Sequence, residues 1–218
     1  MTDSADQPDA DDVLAATTAL AGALESRELS AEELKAKAGL LSWNCAKTLA
    51  HICDAVLWYA GNLASRSTED ADTPMTSPRA KPPQMVNRLR TSGALLAAAV
   101  RDAPRDARGY HSWGRADRSG FAAMGCDEIL LHGWDLAQGL GLDFIPPTTA
   151  VEHTVRRLFP WAPTDEGHDS WDVLLWANGR AALGDRPPEK HWLWHCDPLD
   201  EWNGEIRRWK PRGKRAET

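Results

Sequence analysis

The sequence predicts a mainly α-helical fold: a helix bundle followed by a short C-terminal extension of helix and β-hairpin. Two observations carry this. Four long segments before Pro146 repeat their apolar residues at helical spacing, and clusters of Pro, Gly, Asp and Ser separate them. Near the C-terminus "HWLWH" alternates its aromatic residues, and Asn203-Gly204 before "EIRRW" is a hairpin-turn signal.

The elements follow in order. Residues 11–27 are rich in Ala and Leu and form the first helix. Ser30-Ala31-Glu32-Glu33 is a capping-box pattern, so a short helix starts there and stops near Gly39. Ser42 caps the second long helix, "SWNCAKTLAHICDAVLWYAGNLAS", whose stripe is Leu49, Ile52, Cys53, Val56, Ala60 and Leu63. Pro74, Pro78 and Pro82 make residues 66–82 a loop. Pro83 opens the third helix, through Met85, Leu89, Leu95, Leu96 and Val100. "DAPRDARGYHSWGRADRSG" reads as a long polar loop, a length at which loops are often functional. The fourth helix runs from about Gly120 to Gly139, with Gly141 as its stop. A shorter helix follows Pro146-Pro147, capped by Thr148 or Thr149, with Val151, Val155, Leu158 and Phe159 on its inner face. Residues 170–183 are again helical, and "HWLWH" and "EIRRW" read as short strands joined by a hairpin.

Composition narrows the function classes. With 218 residues, the chain has room for one substantial core. A net charge of -7 gives no overall attraction to nucleic acid or to an anionic membrane, so neither is an expected partner. No apolar run has the ~20 residues that span a bilayer, and the acidic start lacks the order of a signal peptide. Cys45, Cys53, Cys126 and Cys196 form no CxxC pair and read as reduced thiols of a cytoplasmic protein. The 11 tryptophans point to a core or pocket lined with large flat side chains.

The fourth helix holds an unexpected polar line. On a helical wheel Phe121, Met124/Gly125, Glu128, His132 and Asp135 align, while the other faces are apolar. Glu128 and His132 are i and i+4, so their side chains leave adjacent turns in the same direction. A buried carboxylate costs on the order of several kcal/mol unless a cation or hydrogen-bond donors meet it. Two solutions remain open: a metal ion shared by the two side chains, or a hydrogen-bonded Glu–His pair in a polar seam. A third ligand has to come from another element, and His51 is the candidate. It lies opposite the Leu49/Ile52/Val56 stripe, on a second face with Thr48, Ala55, Trp58 and Asn62, where an ordinary core or surface histidine is the competing reading. His51 is followed at i+3 by Asp54, and His132 at i+3 by Asp135. Metal-bound histidines usually give their second N–H to a carboxylate or carbonyl, so both Asp residues are candidate orienters, against plain solvation. The other histidines compete less well. His191 and His195 are spread along a strand, His111 sits in the long loop as a pocket-lining candidate, and His153 and His168 read as surface residues.

The two segments "TLAHICDAVLWYAGNLA" and "MGCDEILLHGWDLAQGLG" resemble the DinB-like superfamily of metal-binding four-helix bundles. More closely they resemble the mycothiol-dependent maleylpyruvate isomerase N-terminal family. The resemblance covers roughly residues 10–145, and E-x-x-x-H-x-x-D-[IL]-A is its most specific part. It implies a DinB-like four-helix bundle with a divalent metal, zinc or another first-row ion, held by His51, Glu128 and His132. It also implies mycothiol as co-substrate: the thiol is brought to the metal, and its thiolate attacks a small electrophile in a transfer or an isomerisation. Trp58, Tyr59 and Trp113 are then expected as pocket walls. Arg115 and Arg118 are candidates to meet an acidic substrate group, against the reading of solvated loop charge. The family's namesake carries a separate C-terminal α/β domain, for which residues 146–218 are too short.

The expected organisation is therefore a disordered acidic start at 1–10, a bundle at 11–145, an extension at 146–210 packed on it, and a basic tail at 211–218. Two alternatives to the thiol-dependent enzyme stay open here: a hydrolase activating water at the same metal, and a non-catalytic bundle binding a metal or small ligand. The Trp-rich extension could instead cap the pocket or form the face of a homodimer.

Overall fold

Four long helices form the bundle of this computed structural model, which describes residues 6–164 and 166–209. They are α1 (Ala10–Glu25), α2 (Cys45–Ser65), α3 (Pro82–Asp102) and α4 (Arg118–Leu140). Two shorter helices follow, α5 (Thr148–Leu158) and α6 (Ser170–Ala177). The expected mainly-α bundle is thus the observed architecture. The basic tail and residues 1–5 lie outside the described residues. Residues 6–10, expected to be disordered, instead start the fold: Asp9 caps α1, and its carboxylate accepts the N–H groups of Asp11 and Asp12.

α4 is the central element. It packs against α1, α2, α3 and α5, and Phe121, Ile129, Leu130 and Leu136 on it are fully buried. That surround explains why its sequence is apolar on nearly every side. Asp117 caps it, accepting the Gly120 N–H at 2.7 Å, and Gly141 ends it in the left-handed region at φ 62°.

Several boundaries differ from expectation for local reasons. The Ser30/Glu33 capping box forms, with Ser30 N–H donating to Glu33 Oε2 at 2.8 Å. It starts only the single 3-10 turn Glu33–Lys35, because the backbone extends at Ala36 and pairs with the approach to α2 through Cys45 N–H to Ala36 O. α2 is capped by Asn44 rather than Ser42, its side chain accepting the Lys47 N–H at 2.9 Å.

The polar loop expected between α3 and α4 contains a small antiparallel hairpin, β1 (Arg108–His111) and β2 (Gly114–Asp117), with Gly109 opposite Ala116 and His111 opposite Gly114. Four-residue strands are too short to show a period. Gly109 makes the docking feasible: a Cβ there would lie 2.4 Å from the Asn62 carbonyl oxygen on α2.

Among the described residues, the C-terminal strands are reduced to a single antiparallel bridge between Trp192 and Arg208, with Pro198 and the 3-10 turn Leu199–Glu201 in the connection. α6 stops at Ala177 rather than near residue 183, because Gly179 at φ 73° turns the chain. Arg157 of α5 ties this region to α4. It is 1% exposed and donates to Asp117 Oδ1, Ser119 Oγ and the carbonyls of His195, Cys196 and Asp197.

Candidate metal centre

α2 and α4 bring His51, Glu128 and His132 together, with one ligand-type atom of each within 4.8 Å of the others. Glu128 Oε2 lies 3.2 Å from His51 Nε2 and 3.4 Å from His132 Nε2. It is buried and, among the described residues, has no hydrogen-bond partner. A buried carboxylate oxygen left in that state is costly unless a cation faces it. Two donor atoms each about 2.0–2.1 Å from a tetrahedral zinc sit roughly 3.3–3.4 Å apart, so the two spacings from Glu128 suit one small ion. The donor set, two imidazole nitrogens and a carboxylate oxygen, is that of a divalent first-row metal. The residues present therefore fit the group.

The three candidate ligands are held unequally. His132 Nδ1–H donates to Asp135 Oδ2 at 3.0 Å, which leaves Nε2 as the free nitrogen facing Glu128. Asp135 is completely buried and is gripped in turn by Arg180, Nε to Oδ1 at 3.1 Å and Nη2 to Oδ2 at 2.8 Å. Burial pushes the Asp135 carboxyl up, but His132 and Arg180 outweigh it and hold the group below its usual range. Asp54, the expected partner of His51, is used differently: its Oδ1 accepts the Thr76 N–H at 2.6 Å and pins the loop between α2 and α3. His51 instead packs edge-on against Trp43, ring centroids 5.1 Å apart. Its side chain is 36% exposed, against 11% for Glu128 and 13% for His132, so His51 marks the open side.

The charges follow from these contacts. Burial alone would raise Glu128, yet His51, His132 and Tyr59 together leave its carboxyl below the usual range. Burial pulls His51 down, and the carboxylates of Glu128 and, to a lesser extent, Asp54 more than restore it. Tyr59 is pushed well above an ordinary phenol, first by burial and then by Glu128. Next along α4, burial lifts the Asp127 carboxyl to about 7, against the hydrogen bond it accepts from Asn178 Nδ2 at 2.8 Å.

The expected pocket walls divide. Tyr59 donates its hydroxyl to Glu128 Oε1 at 3.2 Å and so belongs to the ligand set's surroundings. Trp58 and Trp113 meet around His111, at centroid distances of 5.5 and 5.4 Å, and Trp194 joins them from the C-terminal region. His111 is buried at the hub of this cluster. Its Nδ1 accepts the Trp113 N–H at 3.1 Å and lies 3.2 Å from Cys196 Sγ. Arg115 and Arg118 are not brought to the ligands. The Arg115 backbone N–H bonds Asp197 Oδ1, and Arg118 lines a separate cleft of about 650 Å³ with Arg105 and Asp200. His153, read as a surface residue, is mostly buried and bonds Asp12 Oδ2 at 2.8 Å, joining α5 to α1. Trp43, against the His51 ring, and Arg180, on Asp135, are the neighbours of the candidate ligands that sequence reasoning misses. Trp43 precedes its helix and Arg180 is remote in sequence, so no spacing signal marks either.

A search of the solved structures finds a crystal structure of the mycothiol-dependent maleylpyruvate isomerase at TM-score 0.55 and 16% identity, covering 79% of this chain and 88% of that one. At this identity the likeness is one of fold. It spans more of this chain than its first 145 residues make up, so it continues into the C-terminal region that was expected to depart from the family. No protein of curated function matches the chain. A family model, the mycothiol maleylpyruvate isomerase N-terminal domain, matches residues 10–137, a span that contains His51, Glu128 and His132, and the chain belongs to that family.

Proposed function

We propose that this chain is a divalent-metal-dependent enzyme that uses a low-molecular-weight thiol, mycothiol, on a small electrophile. The observation that carries the metal part is Glu128 Oε2, a buried carboxylate oxygen between two imidazole nitrogens that has no hydrogen-bond partner among the described residues. The thiol part is supported by the family and by the isomerase of like fold.

A zinc ion held by His51, Glu128 and His132 would keep a coordinated thiol as its thiolate near neutral pH. The protein's own groups prepare the site. Asp135 holds the His132 ring with Nε2 inward. Tyr59 occupies Oε1 of Glu128 and leaves Oε2 for the centre. The half-exposed face of His51, backed by Trp43, is where small molecules would enter.

Two outcomes of thiolate attack differ in their balance. In a transfer, the S–C bond forms as a leaving group departs with its bonding pair, or as a C=C π bond opens and the neighbouring carbon takes a proton, and the thiol is consumed. In a double-bond isomerisation, the S–C bond forms as the π pair moves onto the conjugated carbonyl, the resulting single bond rotates, and the pair returns to re-form C=C as the thiolate is expelled, so no thiol is consumed. The test is to incubate the purified protein with mycothiol and a panel of α,β-unsaturated acids and alkylating electrophiles. Thiol-dependent conversion that is lost in His132→Ala supports the reading. Conversion that proceeds equally without thiol points to water as the nucleophile and contradicts it.

A further inference from the structure

The three ligands sit on α2 and α4, yet the group that fixes Asp135 comes from beyond the stretch matched by the family. Arg180 follows α6, whose end is a Schellman-type turn: Gly179 N–H bonds Trp176 O, Arg180 N–H bonds Leu175 O at 2.8 Å, and Gly179 sits at φ 73°. This turn delivers the guanidinium to the buried flank of α4. Its Nη1 bonds Asn178 O at 3.1 Å, and its other two nitrogens fork onto Asp135.

We propose that Arg180 is a positioning residue of the metal centre, acting through Asp135 on His132. The inference rests on the metal reading above. One oxygen links the chain of contacts: Asp135 Oδ2 accepts both from Arg180 Nη2 at 2.8 Å and from His132 Nδ1 at 3.0 Å. Asp135 is fully buried, so no solvent competes for that oxygen, and moving the guanidinium moves the acceptor that aims the imidazole. A planar fork fixes a carboxylate in orientation as well as in charge, which a lysine ammonium does not. The same turn also holds α4 on the far side of the ligands, through Asn178 Nδ2 to Asp127 Oδ1 at 2.8 Å. Glu128 and His132 therefore lie between two carboxylates that the C-terminal region grips, and that region is part of the centre rather than an appendage.

The test is a zinc titration of full-length, metal-stripped protein against a chromophoric chelator. Arg180→Gln is expected to weaken zinc binding about 10–100-fold, and Arg180→Lys to recover part of that loss. In an Asp135→Asn background, adding Arg180→Gln is expected to cost less than about 2-fold further, because the relay is already cut. Wild-type affinity in Arg180→Gln, or a loss that persists undiminished in the Asp135→Asn background, overturns the proposal and leaves Arg180 a structural tie alone. If Arg180→Gln does not fold, Arg180→Lys carries the same cycle: a weakening abolished by Asp135→Asn supports the relay, and an unchanged affinity refutes it. A wild-type protein that takes up no zinc removes the underlying metal reading itself, a result distinct from zinc binding that ignores Arg180.

Discussion

The Tyr59 hydroxyl donates to Glu128 Oε1 at 3.2 Å, and the other oxygen of the same carboxylate faces His51 and His132. Tyr59 reaches α4 from α2 and is 3% exposed, so no water can replace its hydroxyl. Tyr59→Phe keeps the ring's packing and leaves Oε1 without its donor. The expected cost is about 1–3 kcal/mol of stability in the metal-free protein. Urea unfolding measures it, and a variant as stable as wild type would show that the phenol is not what satisfies Oε1.

The β1–β2 hairpin approaches α2 through Gly109, whose hypothetical Cβ would lie 2.4 Å from a backbone carbonyl oxygen. A backbone atom cannot swing aside as a side chain can. Gly109→Ala is therefore expected to destabilise by about 1–3 kcal/mol or to lift the hairpin from α2. Thermal unfolding, with tryptophan fluorescence reporting on Trp113 and its neighbours, checks this. An unshifted melting temperature and spectrum would contradict the close approach.

His111 gives the fold a pH dependence. Burial lowers its pKa to about 4, against an ordinary value of 6.5, and its Nδ1 accepts the Trp113 N–H, so a proton there breaks a bond. Between those values the unfolded chain binds the proton and the folded chain does not, so stability falls as pH drops through the window. The stability is fully present above 6.5 and the loss levels off near 4. From pH 7 to pH 5 the His111 share is about 2 kcal/mol. Denaturant unfolding at both pH values should show that increment in wild type and not in His111→Gln; equal losses in the two proteins would remove His111 as the cause.

The α4 wheel placed Glu128, His132 and Asp135 on one line because a single helix fixes their directions, and 3.6-residue spacing is read directly from sequence. His51 was ambiguous on its own helix, since its face is half-exposed and its Asp54 neighbour serves the Thr76 loop instead. The hairpin was hidden because four-residue strands carry no measurable period. Arg180 was hidden for a different reason: its partner is 45 residues away, and only the turn at Gly179 brings the two together. The aromatic cluster was legible as composition but not as geometry, because Trp58, Trp113 and Trp194 come from three separate elements around His111.

The central claim is that His51, Glu128 and His132 hold one divalent metal ion. Elemental analysis of the purified protein, after dialysis against metal-free buffer, tests it most directly. One equivalent of a divalent first-row metal per chain, lost in both His51→Ala and His132→Ala while the helical circular dichroism remains, is the expected result. A wild-type protein that neither carries nor takes up such a metal, or alanine variants that hold as much of it as wild type, would contradict the account.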